Sequence, residues 1–234
     1  MIEERIRFFE KYLPTTWLRH IDNYYIQNQT IVVNLGNEKA QILGLAEKYL
    51  HPRTSTILKE VTIIKGDSLL LIELGDKTNI ETIALEPEWN QLGQIADFPK
   101  NVPLYKSPQY DLGIVSFDPY FVTGMSEQPE DYKKRDYLVK VTWWFAPAKT
   151  NCTIHKHHTE PEILEIHTQI YGVGRMQKFR KNDFNTLDQD VIMSPGETHI
   201  PFASVGEDAQ FVYPWHQYYS DTDCIWMAHE FHPI

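Results

Sequence analysis

The stretch that decides the fold is TIHKHHTEPEILEIHTQIYG, which covers residues 153–172. Potential ligand residues recur at every second position in it, as in the pairs His155 and His157, and Glu165 and His167. Side chains on a β-strand point alternately to opposite faces, so each pair leaves its strand on one face. The stretch therefore predicts two short strands that present imidazole and carboxylate groups together.

The rest of the chain follows the same short-period pattern. Apolar runs of about five residues, such as 60–64 and 68–72, are separated by glycine-containing turns, which is typical of an all-β protein. Residues 60–66 resemble 165–172, each a strand that ends at glycine, and this similarity suggests two related β units. We place them at residues 1–130 and 131–234.

The N-terminus reads differently from these strands. Ile2, Ile6, Phe9 and Leu13 recur with a helical period, and Pro14 ends the pattern. The sequence therefore predicts a short helix that leads into the first unit.

Composition excludes several classes of protein. The net charge of -10 argues against a nucleic-acid partner, which would require clustered Lys and Arg. No apolar run is long enough for a membrane span or a signal peptide, so we expect no membrane partner and a cytoplasmic protein. Cys152 and Cys224 lack the spacing of a zinc knuckle and do not suggest a disulfide framework.

Three histidines and one glutamate form the predicted metal site: His155, His157, Glu165 and His199. Neutral imidazole and ionised carboxylate suit one divalent transition metal, and Zn, Mn, Fe, Ni and Co all remain open. Glu162 is the alternative carboxylate ligand. Four ligands leave coordination positions open for a substrate, as a catalytic metal requires.

Neighbouring residues supply candidate roles in chemistry and binding. His167 shares the face of Glu165 and is either a hydrogen-bond partner of a ligand or the group that transfers a proton. Glu162 is the other candidate proton shuttle if it is not a ligand. Gln169 and Arg175 are predicted to orient substrate oxygens, although Gln169 also suits a simple hydrogen-bonding role. His216, His229 and His232 are not assigned to the metal.

On these residues the second half resembles the cupin superfamily. The first cupin motif has HxH, Glu and Gly, which match His155, His157, Glu165 and Gly172; the second has a Pro-Gly turn followed by His, which matches Pro195, Gly196 and His199. The chain departs from the pattern at Lys149, where the motif has Gly, and in a longer loop before Glu165. The resemblance implies a bicupin of two jelly-roll barrels, with a layout similar to that of cupin-type sugar-acid isomerases.

The function expected from this resemblance and from the residues is metal-assisted proton transfer. The predicted enzyme is an isomerase of a small polar carbonyl compound, such as a sugar, sugar acid or keto acid. A non-haem Fe(II) dioxygenase is the runner-up, because iron on the same ligands binds O₂, and a non-catalytic metal- or sugar-binding module is the third hypothesis. The expected partner is a small-molecule substrate, and a homodimer is one oligomeric state that the sequence allows.

Overall fold

The structure is a computed structural model of the 234-residue chain. It describes residues 1–6, 11–44, 48–75, 80–124, 134–156, 163–206 and 210–234. Strands make up 55% of the chain and helices 8%, which confirms the all-β prediction. In the described ranges no helix is long and apolar enough to cross a membrane.

Internal contacts divide the chain into two compact units. Unit 1 is Met1–Ile80 with Gly196–Thr198, and unit 2 is Glu81–Pro195 with His199–Ile234. The division therefore falls at residue 80 and not at the predicted position, residue 130. The physical reason is strand pairing, because the strand Tyr110–Phe117 pairs with Arg135–Ala146 and so belongs to the second unit.

Unit 1 is one antiparallel sheet of seven strands. These are β1 (Ile2–Arg5), β2 (Thr15–Ile26), β3 (Thr30–Asn34), β4 (Ala40–Ile42), β5 (Lys48–Leu50), β6 (Ser55–Leu58) and β7 (Val61–Glu73). The main order is β1-β2-β7-β3-β6, and β4 pairs with β5 and β7. Its core contains Leu18, Val32, Ile63 and Leu69, all fully buried, so the apolar runs of the sequence form the interior.

The helix predicted over residues 2–13 is wrong at its beginning. Residues 2–5 form β1, an edge strand that pairs antiparallel with β2, with Ile2 opposite Arg19. Residues 7–10 lie outside the described residues. Backbone pairing with β2 overrides a helical period that rested on four apolar positions.

The described residues of unit 2 form twelve strands. These are β8 (Asn90–Gln91), β9 (Tyr105–Lys106), β10 (Tyr110–Phe117), β11 (Arg135–Ala146), β12 (Thr150–Asn151), β13 (Leu164–Tyr171), β14 (Gly174–Phe179), β15 (Leu187–Met193), β16 (Ser204–Val205), β17 (Phe211–Val212), β18 (Trp215–Ser220) and β19 (Cys224–Pro233). The short helices are α1 (Leu92–Ile95), α2 (Pro119–Val122) and two 3-10 helices, Ile80–Leu85 and Phe184–Thr186.

Two sheets of unit 2 pack face to face. One has six strands in the order β13-β19-β11-β9-β8, with β10 on β11, and the other has four in the order β12-β18-β14-β15. Tyr218 on β18 stacks on Trp226 of β19 with ring centroids 3.8 Å apart, and its hydroxyl donates to Gln169 on β13 at 2.5 Å. Two sheets facing each other across side chains are the arrangement of a jelly roll. The space between them holds the candidate site.

Candidate functional site

Strand β13 places a row of polar side chains inside unit 2. Glu165, His167 and Gln169 occupy alternate positions and therefore share one face, and all three are buried. The neighbouring strand β19 sets Ala228 opposite His167 and Trp226 opposite Gln169. A small residue beside His167 leaves room for its ring, so the local sequence of both strands forms the site.

Glu165, His167 and His199 make one continuous row of contacting polar side chains. Glu165 Oε1 lies 3.2 Å from His167 Nε2, and His167 Nδ1 lies 2.9 Å from His199 Nε2. The backbone N–H of His167 also donates to His199 Nε2 at 3.0 Å. At the far end, His199 Nδ1 is 2.8 Å from the carbonyl oxygen of Ile200. The predicted ligands Glu165 and His199 are thus brought together by the predicted proton shuttle.

The carbonyl partner of His199 fixes the proton at one end of the row. A carbonyl oxygen only accepts, so His199 Nδ1 carries the proton and His199 Nε2 is the acceptor. The backbone N–H of His167 donates to the lone pair of that Nε2, and His167 Nδ1 lies beside it. His167 Nε2 faces Glu165 Oε1, so the His167 ring lies between a carboxyl group and a second imidazole.

Burial keeps the end of the row neutral. The pKa of His199 is lowered to about 3. Burial is the main cause and the nearby His167 contributes, whereas the hydrogen bond to Ile200 opposes the shift. His199 is therefore a neutral acceptor at physiological pH. Tyr213 supports the other end, because its hydroxyl oxygen accepts the backbone N–H of Glu165 at 2.7 Å.

His155 lies against His216, a histidine that the sequence did not assign to the metal. His155 and His216 form an isolated β-bridge, with ring centroids 4.3 Å apart. His155 Nδ1 is 3.2 Å from the carbonyl oxygen of Thr153, and His216 Nδ1 is 2.9 Å from that of Pro214. Both rings therefore carry their proton on Nδ1 and their lone pair on Nε2.

Phe202 links the two groups of histidines. Its ring centroid lies 5.0 Å from that of His199 and 5.1 Å from that of His216. Tyr213 packs against both Phe202 and His216, at 5.6 Å and 5.3 Å. The site is therefore a set of histidines and one glutamate with aromatic walls.

The two residues predicted to orient substrate are bonded to protein groups. The amide of Gln169 accepts from Tyr218 and donates to the carbonyl oxygens of Tyr171 (2.8 Å) and Gly172 (3.3 Å). It therefore braces the two sheets.

Arg175 is engaged in a similar way. Its guanidinium donates to Asp221 at 2.5 Å and to Asp190 at 2.6 Å. These two hydrogen bonds raise its pKa above the usual range. The structure thus gives Gln169 and Arg175 bracing contacts, and a role in substrate binding stays a prediction for both.

His157 and Glu162 lie outside the described residues, so the predictions that Glu162 is a ligand or a shuttle stay predictions. Within the described ranges, no group of three or more His, Cys, Asp or Glu side chains is arranged to hold a metal. The donor chemistry nevertheless fits a transition metal. His155 and His199 each hold Nδ1 on a backbone carbonyl, which leaves Nε2 as the lone-pair atom of a neutral ring, as in ligand histidines.

Sequence reasoning missed His216, Tyr213 and Lys178. Two of them reach the site through strand register, with Lys178 of β14 opposite His216 of β18 and His216 opposite His155. A signal existed in the alternation of β14, where Met176 and Lys178 share a face. The pairing of β14 with β18 could not be read from one sequence.

Comparisons with known proteins bear on the fold alone. No protein-family model matches the chain, and no curated protein matches it. One similar solved structure is oxalate oxidase in complex with the substrate analogue glycolate, which is 16% identical over 41% of this chain and 42% of that chain, with a TM-score of 0.29. The match thus spans less than half of that protein.

Two further structures match over nearly the whole chain. A cupin 2 conserved barrel domain protein from Leptotrichia buccalis is 11% identical over 99% of this chain and 88% of that one, with a TM-score of 0.30. Oxalate decarboxylase from Bacillus subtilis is 10% identical over 99% and 72%, with a TM-score of 0.31. These structures are cupin-fold proteins, the superfamily that the sequence motifs resemble. Likenesses this weak give no information on activity, substrate or metal.

Proposed function

We propose that this chain is an enzyme that moves a proton within a small polar carbonyl compound, as an isomerase does. The observation that carries the proposal is the buried contact of His167 with Glu165, 3.2 Å long, which sets an imidazole beside a carboxyl group. A general acid-base group must take a proton from one substrate carbon and return it to another. His167 is the imidazole in this row that lies between Glu165 and His199, and we assign the proton transfer to it.

The proposal includes one divalent transition metal bound by His155, His157, Glu165 and His199. The Nδ1 contacts of His155 and His199 support it, and the set requires His157, outside the described residues. When bound, such an ion would polarise a substrate carbonyl. His199 Nε2 has a single lone pair, so the hydrogen bond from His167 and a bond to a metal are alternative uses of that atom.

Hydrogen exchange tests the proton transfer directly. The protein, supplied with Mn²⁺ or Zn²⁺, is incubated in deuterated water with pyruvate, dihydroxyacetone or D-glucuronate, and deuterium on the carbon beside the carbonyl is followed by NMR. His167→Gln cannot carry the proton but leaves the four proposed ligands in place, and we expect a fall in exchange of about a hundredfold or more. His232→Gln is the matched control, because His232 bonds to Glu230 at 3.0 Å and lies outside the row.

Two results would contradict the proposal. Equal exchange with wild-type protein and His167→Gln would remove His167 from the reaction. Product formation that requires O₂, measured with an oxygen electrode, would replace the isomerase with the dioxygenase.

A further inference from the structure

Strand β14 directs one lysine into the site. Gly174 and Met176 are buried, and Lys178 follows at the same period of two, so it shares their face. Arg175 and Gln177 lie on the opposite face, where both bond to Asp190. A lysine on an inward face is unusual, since ammonium groups are seldom buried.

The ammonium group of Lys178 lies among the side chains of the candidate site. Lys178 is directly opposite His216 in the sheet, and its Nζ is 4.9 Å from the ring centroid of Phe202. Phe202 in turn contacts His199 and His216.

Lys178 has no hydrogen bond or ion pair to any group in the described part of the chain. The Nζ atom of Lys178 contacts the face of Phe202. The charge of Asp188 also acts on Lys178, but the Asp188 carboxylate accepts a hydrogen bond from Arg180 at 2.9 Å. Partial burial lowers the pKa of Lys178. The face of Phe202 attracts the ammonium group but accepts no conventional hydrogen bond from it, and an anion bound beside Lys178 would supply that acceptor.

The geometry points to Lys178 as the residue that binds a carboxylate group of the substrate. The substrate class is then a small carbonyl compound that also carries a carboxylate, such as a keto acid or a sugar acid. This inference rests on the proposed function, whose proton-transfer residue lies on the facing sheet of the same unit. The net charge of -10 strengthens it, because an anion drawn to an acidic protein requires a local cation.

Matched acid and neutral probes test the inference. Pyruvate is compared with hydroxyacetone, and D-glucuronate with D-glucose, by isothermal titration calorimetry. We expect at least one acid to bind more tightly than its neutral partner. Lys178→Met should weaken that acid about tenfold or more, the effect of losing one charge-assisted hydrogen bond, and leave the neutral probe unchanged.

Two variants control the measurement. Lys178→Arg keeps the charge and should retain most of the binding. Lys181→Met removes an exposed charge from the turn after β14 and should change nothing. Circular dichroism establishes that each variant is folded.

The outcomes separate this inference from the proposed function. Equal binding of acid and neutral probes by wild-type protein, or of the acid by wild-type protein and Lys178→Met, overturns the carboxylate site. Acid binding that depends on Lys178 with no deuterium exchange supports the site and contradicts the isomerase. Deuterium exchange into the acid probes that is equal in wild-type protein and Lys178→Met supports the isomerase and contradicts the inference.

Discussion

Strand β7 in unit 1 and strand β13 in unit 2 are both deeply buried, yet they have opposite chemistry. Residues 69–72 of β7 are Leu-Leu-Leu-Ile, almost completely buried. Strand β13 is buried over seven successive residues but places Glu165, His167 and Gln169 on one face. One strand has the composition that burial favours, and the other keeps groups that are costly to remove from water.

The polar row of β13 persists because each member has a partner. Glu165 contacts His167, His167 contacts His199, and Gln169 bonds to Tyr218. A buried polar group without a hydrogen-bond partner would lower the free energy of unfolding by about 1–3 kcal/mol. Partners within the row avoid that cost and fix the arrangement of its side chains. The comparison indicates that β7 of unit 1 is stabilised by apolar burial, whereas β13 of unit 2 replaces part of that burial with paired polar groups.

Metal content should show the largest difference between the units. We expect one divalent metal per wild-type chain and almost none in a His157→Ala/His199→Ala double variant, because two of four ligands are lost. His20→Ala/His51→Ala, at two exposed histidines of unit 1, should keep the metal. Inductively coupled plasma mass spectrometry measures both, and full occupancy in the first variant would refute the ligand assignment.

Two glycines provide the next comparison. Gly172 follows β13 at φ +73, and an added Cβ would lie 1.9 Å from the carbonyl oxygen of Asp223. Gly172→Ala should lower the free energy of unfolding by about 4 kcal/mol, because backbone strain and a clash with backbone add together. Gly75→Ala, where a Cβ would meet nothing within 4 Å, should change it by less than about 0.5 kcal/mol. Urea titrations of both variants check the prediction, and equal midpoints would contradict it.

The apolar strand should respond to the loss of volume. Leu70 is completely buried in β7, and Leu70→Ala should cost about 3 kcal/mol through lost burial and the cavity that remains. Leu43→Ala, at a residue 55% exposed, should cost less than about 0.5 kcal/mol. Thermal unfolding followed by circular dichroism distinguishes them. A small loss for Leu70→Ala would mean that unit 1 is not the tightly packed unit.

The sequence predicted what depends on local period and failed where pairing decides. Alternation alone identified β13 and the shared face of Glu165 and His167, and short apolar runs identified the all-β class. The N-terminal helix was wrong at residues 2–5. These residues form β1, which is held by backbone pairing with β2, a strand outside the apolar pattern of residues 2–13. His216 and Lys178 could not be found, because their place depends on the register of β14 and β18.

Another buried histidine, His229, lies at the face of β13 opposite the polar row. His229 of β19 is completely buried, and its Nε2 lies 2.8 Å from Thr168 Oγ1. Its Nδ1 has no hydrogen-bond partner among the described residues. The pKa of His229 is lowered to about 3. Burial is the main cause and the nearby His167 contributes, whereas Glu165 opposes the shift. His229 is therefore neutral in the folded protein.

The stability of unit 2 should consequently fall in mild acid. An unfolded histidine has a pKa of about 6.5, so below that pH the unfolded chain binds a proton that folded His229 refuses until about pH 3. Stability is thus present above pH 6.5 and is lost as the pH falls, by about 2 kcal/mol per such histidine at pH 5. Thr168→Val/His229→Leu removes both hydrogen-bonding partners together and should reduce the loss between pH 7 and pH 5 by that amount. Urea unfolding at the two pH values measures it. His199 titrates in the same direction, so part of the dependence should remain; an unchanged dependence in the double variant would show that His229 already accepts a proton in the folded state.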